Sequence, residues 1–344
     1  MRVVNKTKKI VLYNPNPLSK YRLSVQAPLA LLAISKILDK EGYDIRIISH
    51  CLYEDPVREA LKQCENALCL GITCMTGYQI TDGLNVAKLV RQKYPELPIV
   101  WGGWHPSMET KQTLESPYVD IIVRGQGERA FAELIHCLEE GRPLNETLGI
   151  SYKENNEIIN NPDRPLEDNL NGLPSLPYHL IDVKKCLYST EYGSRTINYV
   201  SSYGCPFRCS FCEEQVVSKR RWWGLNAKKV ADDVEWLIKN YGIDAVAFHD
   251  SNFFVDKERV KQFCEELINR NLKINWGNAN GRSRQLLSFK DDLWKLMRES
   301  GLRLILTGAE SGFQETLDFI NKDLTVKETI DLAKKCHEYG IKVI

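Results

Sequence analysis

The chain is 344 residues long and carries 46 Lys plus Arg against 45 Asp plus Glu. Its formal net charge of +1 gives no electrostatic case for nucleic acid as a partner. Hydrophobic residues make up 43%, enough for substantial cores, and the length suggests about two domains. No apolar run reaches the roughly 18 residues of a membrane span, and Met1–Lys6 is followed by no signal-peptide apolar core. The 11 irregularly spaced cysteines, an odd number, argue against a disulfide framework, so a cytoplasmic location is expected.

Residues 1–145 alternate strand and helix. Lys9 to Tyr13 reads as a short strand ending at the turn cluster Asn14-Pro15-Asn16-Pro17. Pro28 to Lys40 has helical apolar spacing with Gly42 as its stop, and Tyr43 to Ser49 alternates like a strand. Pro56 to Cys64 reads as a helix and Ala67 to Thr73 as a buried strand. Thr81 to Tyr94 is a helix with Thr81 as its N-cap, and Pro98 to Trp101 is a strand. Val119 to Val123 is a strand and Glu128 to Glu140 a helix closed by Gly141. Such alternation predicts a doubly wound parallel sheet whose ligand lies outside the carboxyl ends of the strands. The loops at those ends are Asn14–Pro17, Thr73–Gly77, Gly102–Pro106 and Gly125–Glu128, and their glycines let backbone approach a bulky ligand. None fits G-x-G-x-x-G, which disfavours a nicotinamide dinucleotide. Cys64, Cys69 and Cys74 read as small core hydrophobes.

Residues 146–190 read as a hairpin about Glu154-Asn155-Asn156, followed by a Pro-rich connector. From 191 to 344 the strand–helix alternation resumes. Thr196 to Ser202 reads as a strand; Lys228 to Asn240 as a helix; Ala245 to Phe248 as a strand. Asp256 to Asn269 follows as a helix and Leu272 to Trp276 as a strand. Lys290 to Ser300 is a helix, Leu302 to Leu306 a strand, Val326 to Tyr339 a helix, and Ile341 starts a further strand. That order predicts a parallel barrel, full or partial, with its chemistry at the carboxyl ends of the strands. Those ends are polar: His249-Asp250-Ser251-Asn252, Asn278-Ala279-Asn280-Gly281-Arg282, and Thr307-Gly308-Ala309-Glu310-Ser311. Polar groups converging there are expensive unless a ligand or water satisfies them, although capping and turn roles also account for single residues. Lys219-Arg220-Arg221 reads as a solvated basic run.

After the first strand of this second domain comes Cys205-Pro206-Phe207-Arg208-Cys209-Ser210-Phe211-Cys212. Three thiols in C-x3-C-x2-C spacing suit a [4Fe–4S] cluster with one iron left open for another ligand. A structural zinc site would need a second arm, and His249, the nearest downstream histidine, stands alone.

This spacing, with aromatic Phe211 before the last cysteine, resembles the signature of the radical S-adenosylmethionine (SAM) enzymes. The resemblance implies that Cys205, Cys209 and Cys212 hold the cluster, whose open iron binds SAM and cleaves it to a deoxyadenosyl radical. It also implies SAM contacts from Asp250, Asn252, Glu310 and Ser311, with Arg282 meeting the carboxylate. The series Gly71–Thr76, Gly102–Pro106 and Arg124–Glu128 resembles the cobalamin-binding domain that precedes the radical SAM domain in one large subfamily. Cobalamin contacts are then expected from Thr73, Thr76, Gly102, Gly103, His105, Gly125, Gly127 and Glu128. The D-x-H-x-x-G motif is absent, which leaves the lower face of cobalt unassigned. His105 is the tempting ligand, although hydrogen bonding or a tail contact is the commoner role for such a histidine.

The family's barrel usually has more strand–helix units than this chain, so a truncated chain, or one completed by a partner, is expected. The resemblance implies cobalamin-dependent methyl transfer to an unactivated carbon. Radical cyclisation or rearrangement, a non-catalytic Fe–S or corrinoid module, and a radical SAM enzyme with a regulatory flavodoxin-like first domain are the alternatives. A small-molecule or natural-product-like substrate and an electron donor such as flavodoxin or ferredoxin are the implied partners.

Overall fold

A computed structural model describes residues 8–17, 25–155, 157–167 and 169–344. Met1–Lys6, and Asn156 at the tip of the expected hairpin, lie outside the described residues. The chain forms two compact units. The first holds the residues up to Glu167 together with Gly172–Cys186, and the second holds a short stretch ending at Asn171 together with Leu187–Ile344.

The first unit contains β1 (Lys9–Asn14), α1 (Leu29–Lys40), β2 (Asp44–Ser49), α2 (Pro56–Gln63), β3 (Cys69–Thr73), α3 (Tyr78–Lys93) and β4 (Ile99–Gly102). It continues with α4 (Trp104–Met108), α5 (Thr110–Glu115), β5 (Ile121–Val123), α6 (Gly127–Glu140), β6 (Ile150–Glu154) and β7 (Glu157–Asn160). Its seven strands are ordered β2-β1-β3-β4-β5-β6-β7, parallel through β5 and antiparallel beyond it. The 2-1-3-4-5 order is that of a doubly wound sheet, whose topological switch point falls between β1 and β3. Strands covered on both faces read as continuous apolar runs, as Ile10-Val11-Leu12-Tyr13 does here. One face packs Val11, Tyr13, Leu70, Ile72 and Trp101 against Val86, Ala87 and Val90 of α3.

The α3 helix begins a turn before the expected Thr81 cap, at Gly77 (φ +126°). Gln79 supplies the reason: its side-chain oxygen accepts from the Met75 N–H (2.6 Å) and its amide donates to the Pro15 carbonyl (3.0 Å). This first-turn side chain therefore fastens the β1 and β3 loops together at the switch point. Gly102–Pro106 is likewise no open loop, because Trp104 starts the short helix α4.

The second unit contains β8 (Tyr188–Thr190), β9 (Gly193–Tyr199), β10 (Ser202–Gly204), α7 (Glu214–Val217), β11 (Trp222–Gly224), α8 (Ala227–Tyr241) and β12 (Ala245–Phe248). Then come α9 (Lys257–Asn269), β13 (Asn275–Gly277), β14 (Ala279–Asn280), α10 (Ser283–Leu287), α11 (Asp291–Glu299), β15 (Leu304–Leu306), α12 (Gln314–Phe319), α13 (Val326–Glu338) and β16 (Lys342–Val343). Strands β9, β12 and β13 pair in parallel, as do β14, β15 and β16. β13 and β14 are one strand interrupted at Asn278, whose φ of +57° breaks the ladder, so the two sheets form a continuous partial barrel wall. Behind the wall Phe248, Phe253, Phe263 and Trp276 interlock, with ring centroids 4.6 Å apart for Phe248–Phe253 and 5.4 Å for Phe253–Trp276. Each such pair adds about 0.5–1.5 kcal/mol beyond its buried area and stiffens the strand ends above it.

The expected strand Thr196–Ser202 divides: β9 stops at Tyr199, and Ser202 opens β10, which pairs antiparallel with β11.

Candidate functional site

The β10–β11 hairpin carries the three cysteines in the loop between its strands. Gly204 (φ +80°) turns the chain into that loop, and a Cβ there would fall 2.1 Å from the Arg221 carbonyl oxygen, so the close approach of the loop ends requires glycine. The loop then folds on itself: the Cys212 N–H donates to the Cys209 carbonyl (3.0 Å), which also accepts from the Gln215 side chain. All three thiols are free and half-buried. Burial pushes the Cys205 thiol up, opposed by the nearby Phe207 N–H and Asn252 side chain. Burial raises Cys212 as well, against the Glu214 N–H, and the Glu214 carboxylate adds to the rise. Donors aimed at sulfur are what a thiolate-bound cluster uses to disperse its charge. Among the described residues no three His, Cys, Asp or Glu side chains converge on a point where one metal ion would sit. Three free thiols in one loop are the donor set by which a [4Fe–4S] cluster is held.

The other expected SAM residues divide by environment. Arg282 is 9% exposed, its guanidinium lies 4.0 Å from the Phe207 ring, and its Nη1 and Nη2 have no hydrogen-bond partner. A buried cation with unsatisfied donors beside the cluster loop fits a carboxylate ligand. Asn252 is 2% exposed and adjoins Cys205 closely enough to lower its thiol; its Oδ1 accepts from the Phe254 N–H (3.2 Å), and its carbonyl accepts from Trp222 Nε1 (2.9 Å). These bonds brace the turn after β12 against β11, a role that its strand-end position did not reveal.

Asp250 corrects the expectation of a direct SAM contact. It is fully buried, its Oδ1 accepts from the Ser201 N–H (2.7 Å), and its Oδ2 accepts from the Ser201 and Ser202 hydroxyls (both 2.6 Å). Arg259 donates to Ser201 Oγ (2.5 Å) and to the Leu225 carbonyl (2.7 Å). Burial pushes Asp250 up and Arg259 down, each opposed by the other's charge. Asp250 therefore ties β12 to the chain entering the cluster hairpin. Ser311 is occupied locally, its Oγ accepting from the Phe313 N–H (3.1 Å) at the start of α12. Glu310 bonds Lys322 Nζ through Oε1 (2.7 Å).

In the first unit the carboxyl edge of the sheet brings together Thr73, Thr76, Gly102, Gly103, His105 and Gly125. Thr76 Oγ1 and His105 Nδ1 are 3.2 Å apart, and the His105 N–H donates to the Cys74 carbonyl (3.1 Å). Gly103 (φ +99°) has no room for a side chain, since a Cβ would lie 2.8 Å from the Cys74 oxygen and 3.1 Å from Thr73 Oγ1. Ser107, absent from the sequence expectations, joins two loops: its hydroxyl donates to the Gly103 carbonyl (2.7 Å) and accepts from the Gly125 N–H (2.9 Å). Gly125 and Gly77 open on free space, and Met75, two residues before Gly77, is 55% exposed, an apolar surface suited to a flat macrocycle.

Two expected contacts at this edge are corrected. A Cβ on Gly127 would meet Ile34 Cγ2 at 3.2 Å, so this glycine serves the close packing of α6 on α1. Glu128 is 4% exposed, and its Oε1 lies 3.8 Å from Lys36 Nζ of α1, which ties it to that helix.

A second cluster, invisible to local sequence reading, lies at the switch point. Asp82 Oδ2 accepts from Tyr13 OH (3.1 Å) and the Asn16 N–H (2.9 Å), and lies 3.2 Å from His50 Nε2. Burial works against the charged form, but the hydrogen bonds from His50, Asn16 and Tyr13 hold the Asp82 carboxyl below its ordinary value.

The model of the B12 binding domain matches residues 21–135, and that of the radical SAM superfamily matches residues 199–344. An uncharacterized methyltransferase of Pyrococcus horikoshii is 31% identical over 322 residues, covering 92% of this chain and 68% of the relative. The chain belongs to the radical SAM family with an N-terminal B12-binding domain. An anaerobic magnesium-protoporphyrin IX monomethyl ester cyclase of Synechocystis is 29% identical, covering 95% of this chain and 66% of that one. The radical SAM methyltransferase TsrM of Kitasatospora setae, solved with cobalamin and a [4Fe–4S] cluster bound, shares the fold. Its TM-score is 0.78 at 19% identity, over 98% of this chain and 68% of TsrM. The chain thus spans about two thirds of the length of these relatives. Within this B12-binding radical SAM chain, the Cys205–Cys212 loop lies inside the radical SAM match and the glycine edge inside the B12 match. No described helix is long and apolar enough to cross a membrane.

Proposed function

We propose that this chain reductively cleaves SAM at a [4Fe–4S] cluster and uses the resulting radical for cobalamin-dependent methyl transfer to an unactivated carbon of a small molecule. The observation that carries the reading is the buried Arg282 guanidinium, without partners on Nη1 and Nη2, stacked on Phe207 of the cysteine loop. When bound, the cluster supplies the cleaving electron and cobalamin a transferable methyl group.

Cys205, Cys209 and Cys212 would hold the cluster, with the Phe207 and Glu214 N–H groups and Asn252 close enough to favour the thiolates. Arg282 orients the SAM carboxylate, while its stacking on Phe207 fixes the guanidinium plane without using up its donors. Asp250, through Ser201 and Ser202, sets the direction in which the chain enters the cluster hairpin. In the first unit Thr73, Thr76, Gly102, Gly103, His105 and Gly125 would hold the corrinoid, with Met75 against its apolar face. His105 is held by Thr76 through Nδ1, which would fix its ring against a bound corrinoid.

Substrate, electron donor and cellular location follow from this reading: a small-molecule or natural-product-like substrate and a flavodoxin- or ferredoxin-type donor, in the cytoplasm. Ring closure is the second reading, favoured by the cyclase relative. Anaerobic turnover of cluster- and cobalamin-loaded protein with labelled SAM tests the two. Deoxyadenosine with a product gaining one methyl mass supports transfer, deoxyadenosine with a product losing hydrogen supports cyclisation, and no deoxyadenosine from any donor overturns both.

A further inference from the structure

The segment between α12 and α13 does more than connect them. Its residues Ile320, Lys322 and Asp323 touch the cysteine loop. The Ser210 N–H donates to the Ile320 carbonyl (2.9 Å). Arg208 grips Asp323 through Nε (3.1 Å) and Nη2 (3.2 Å). Between them Lys322 places Nζ over the Phe211 ring, 5.6 Å from its centroid. Arg208, Ser210 and Phe211 alternate with or adjoin the thiols Cys209 and Cys212, so this segment fixes the loop from Arg208 through Phe211.

Lys322 is 7% exposed, uncommon for a lysine unless it is paired. Its partner is Glu310 (2.7 Å), and Gly308 leaves room for both: a Cβ there would lie 2.2 Å from Glu310 Oε1 and 2.7 Å from Lys322 Nζ. Glu310, Asn321 and Asp323 all hold left-handed backbone, with φ of +58°, +50° and +52°. For Glu310 that conformation is disfavoured and persists only where the surroundings over-determine it. A reserved glycine and an ion pair whose lysine is buried and whose glutamate is exposed therefore lie beside Phe211.

We infer that Lys322 and Glu310 are a positioning pair that sets the electrostatic poise of the cluster. This rests on the cluster reading above. The Lys322 ammonium, seated on the residue that precedes Cys212, places positive charge beside the cluster, and Glu310 places a compensating negative charge one step further out. Cluster potential responds to local charge, and reduction adds an electron to the site. Lys322 thus favours the reduced state and Glu310 opposes it, so removing either one alone moves the potential in opposite directions. A purely structural brace would move both variants the same way or neither.

The test is an anaerobic potentiometric titration, followed by EPR, of reconstituted wild type, Lys322→Met, Glu310→Gln and the double variant. The inference predicts a lower midpoint potential for Lys322→Met, a higher one for Glu310→Gln, and a double variant close to wild type. Equal potentials, or shifts of one sign in both single variants, overturn it. Where Lys322→Met assembles no cluster, Glu310→Gln decides alone: an upward shift supports the pair's role and an unchanged potential refutes it. A wild type that takes up no cluster fails the parent reading instead, and absorbance before titration separates the two failures.

Discussion

The two units finish the carboxyl ends of their strands in contrasting ways. In the first, the polar side chains at the edge are spent on each other: Thr76 on His105, Ser107 on Gly103 and Gly125, Asp82 on Tyr13, His50 and Asn16. What remains for a ligand is backbone, glycine at Gly77 and Gly125 with open space before it, and the exposed thioether of Met75. In the second, charge is left over: the Arg282 guanidinium is buried with unsatisfied donors, and three thiols stand free. A large, mostly uncharged macrocycle is recognised by shape against backbone, whereas a small zwitterion and an anionic cluster are recognised by fixed charge and hydrogen bonds. One chain uses both modes, each at the edge of a parallel sheet.

The largest effect tests the charged edge. Cys209→Ala is expected to abolish deoxyadenosine formation, read by chromatography of anaerobic reactions, and retained turnover would remove the thiols from the chemistry. Next, Asp250→Asn strips a buried Arg259 of its counter-charge. It should cost about 3 kcal/mol or more of stability by chemical denaturation, and an unchanged midpoint would mean that Asp250 is not the structural node its hydrogen bonds describe.

Arg282→Met should raise the SAM dissociation constant roughly 10- to 100-fold, the range for losing about 1.5–3 kcal/mol of hydrogen bonding to a charged group. Isothermal titration on cluster-loaded protein measures it, and an unchanged constant would reduce Arg282 to a partner of Phe207. The glycine edge is tested by Gly103→Ala, which adds a Cβ 2.8 Å from the Cys74 oxygen at φ +99°. About 1–3 kcal/mol of strain and weaker retention of cobalamin on a desalting column are expected.

The smallest effect is expected at the start of α13. Arg284 and the Thr325 capping bonds hold the Glu328 carboxyl down to about 2. A depressed carboxylate pKa stabilises above its unfolded value and is lost as pH falls through the folded one. The stability difference between wild type and Glu328→Gln should therefore be small at neutral pH and shrink from about pH 4.5 towards 2, measured by melting.

Much of this was legible in the sequence. The strand–helix alternation is local, and so is the cysteine spacing, so the doubly wound sheet, the partial barrel and the cluster loop could all be read. The edge loops were legible because glycine at a strand end marks a tight turn or a close approach of backbone to a neighbour. Roles set by tertiary partners were not. Asp250 sits at a strand end like a ligand, yet Ser201 and Ser202 claim both its oxygens. Gly127 and Glu128 belong to a glycine-rich run, yet α1 claims them through Ile34 and Lys36. The Tyr13–His50–Asp82 cluster draws on three separate elements and left no local signal. The start of α3 departs from the Thr81 cap because Gln79, in the first turn, bonds backward to the two loops it joins.

The most direct test is an absorption spectrum. Wild type and the Cys205→Ala/Cys209→Ala/Cys212→Ala variant would be reconstituted anaerobically with iron, sulfide and hydroxocobalamin, and then desalted. Two independent cofactor edges predict cobalamin bands in both proteins and broad cluster absorbance in wild type alone. Cobalamin washing out of a cluster-loaded wild type, or cluster absorbance surviving in the triple variant, would contradict the two-edge reading.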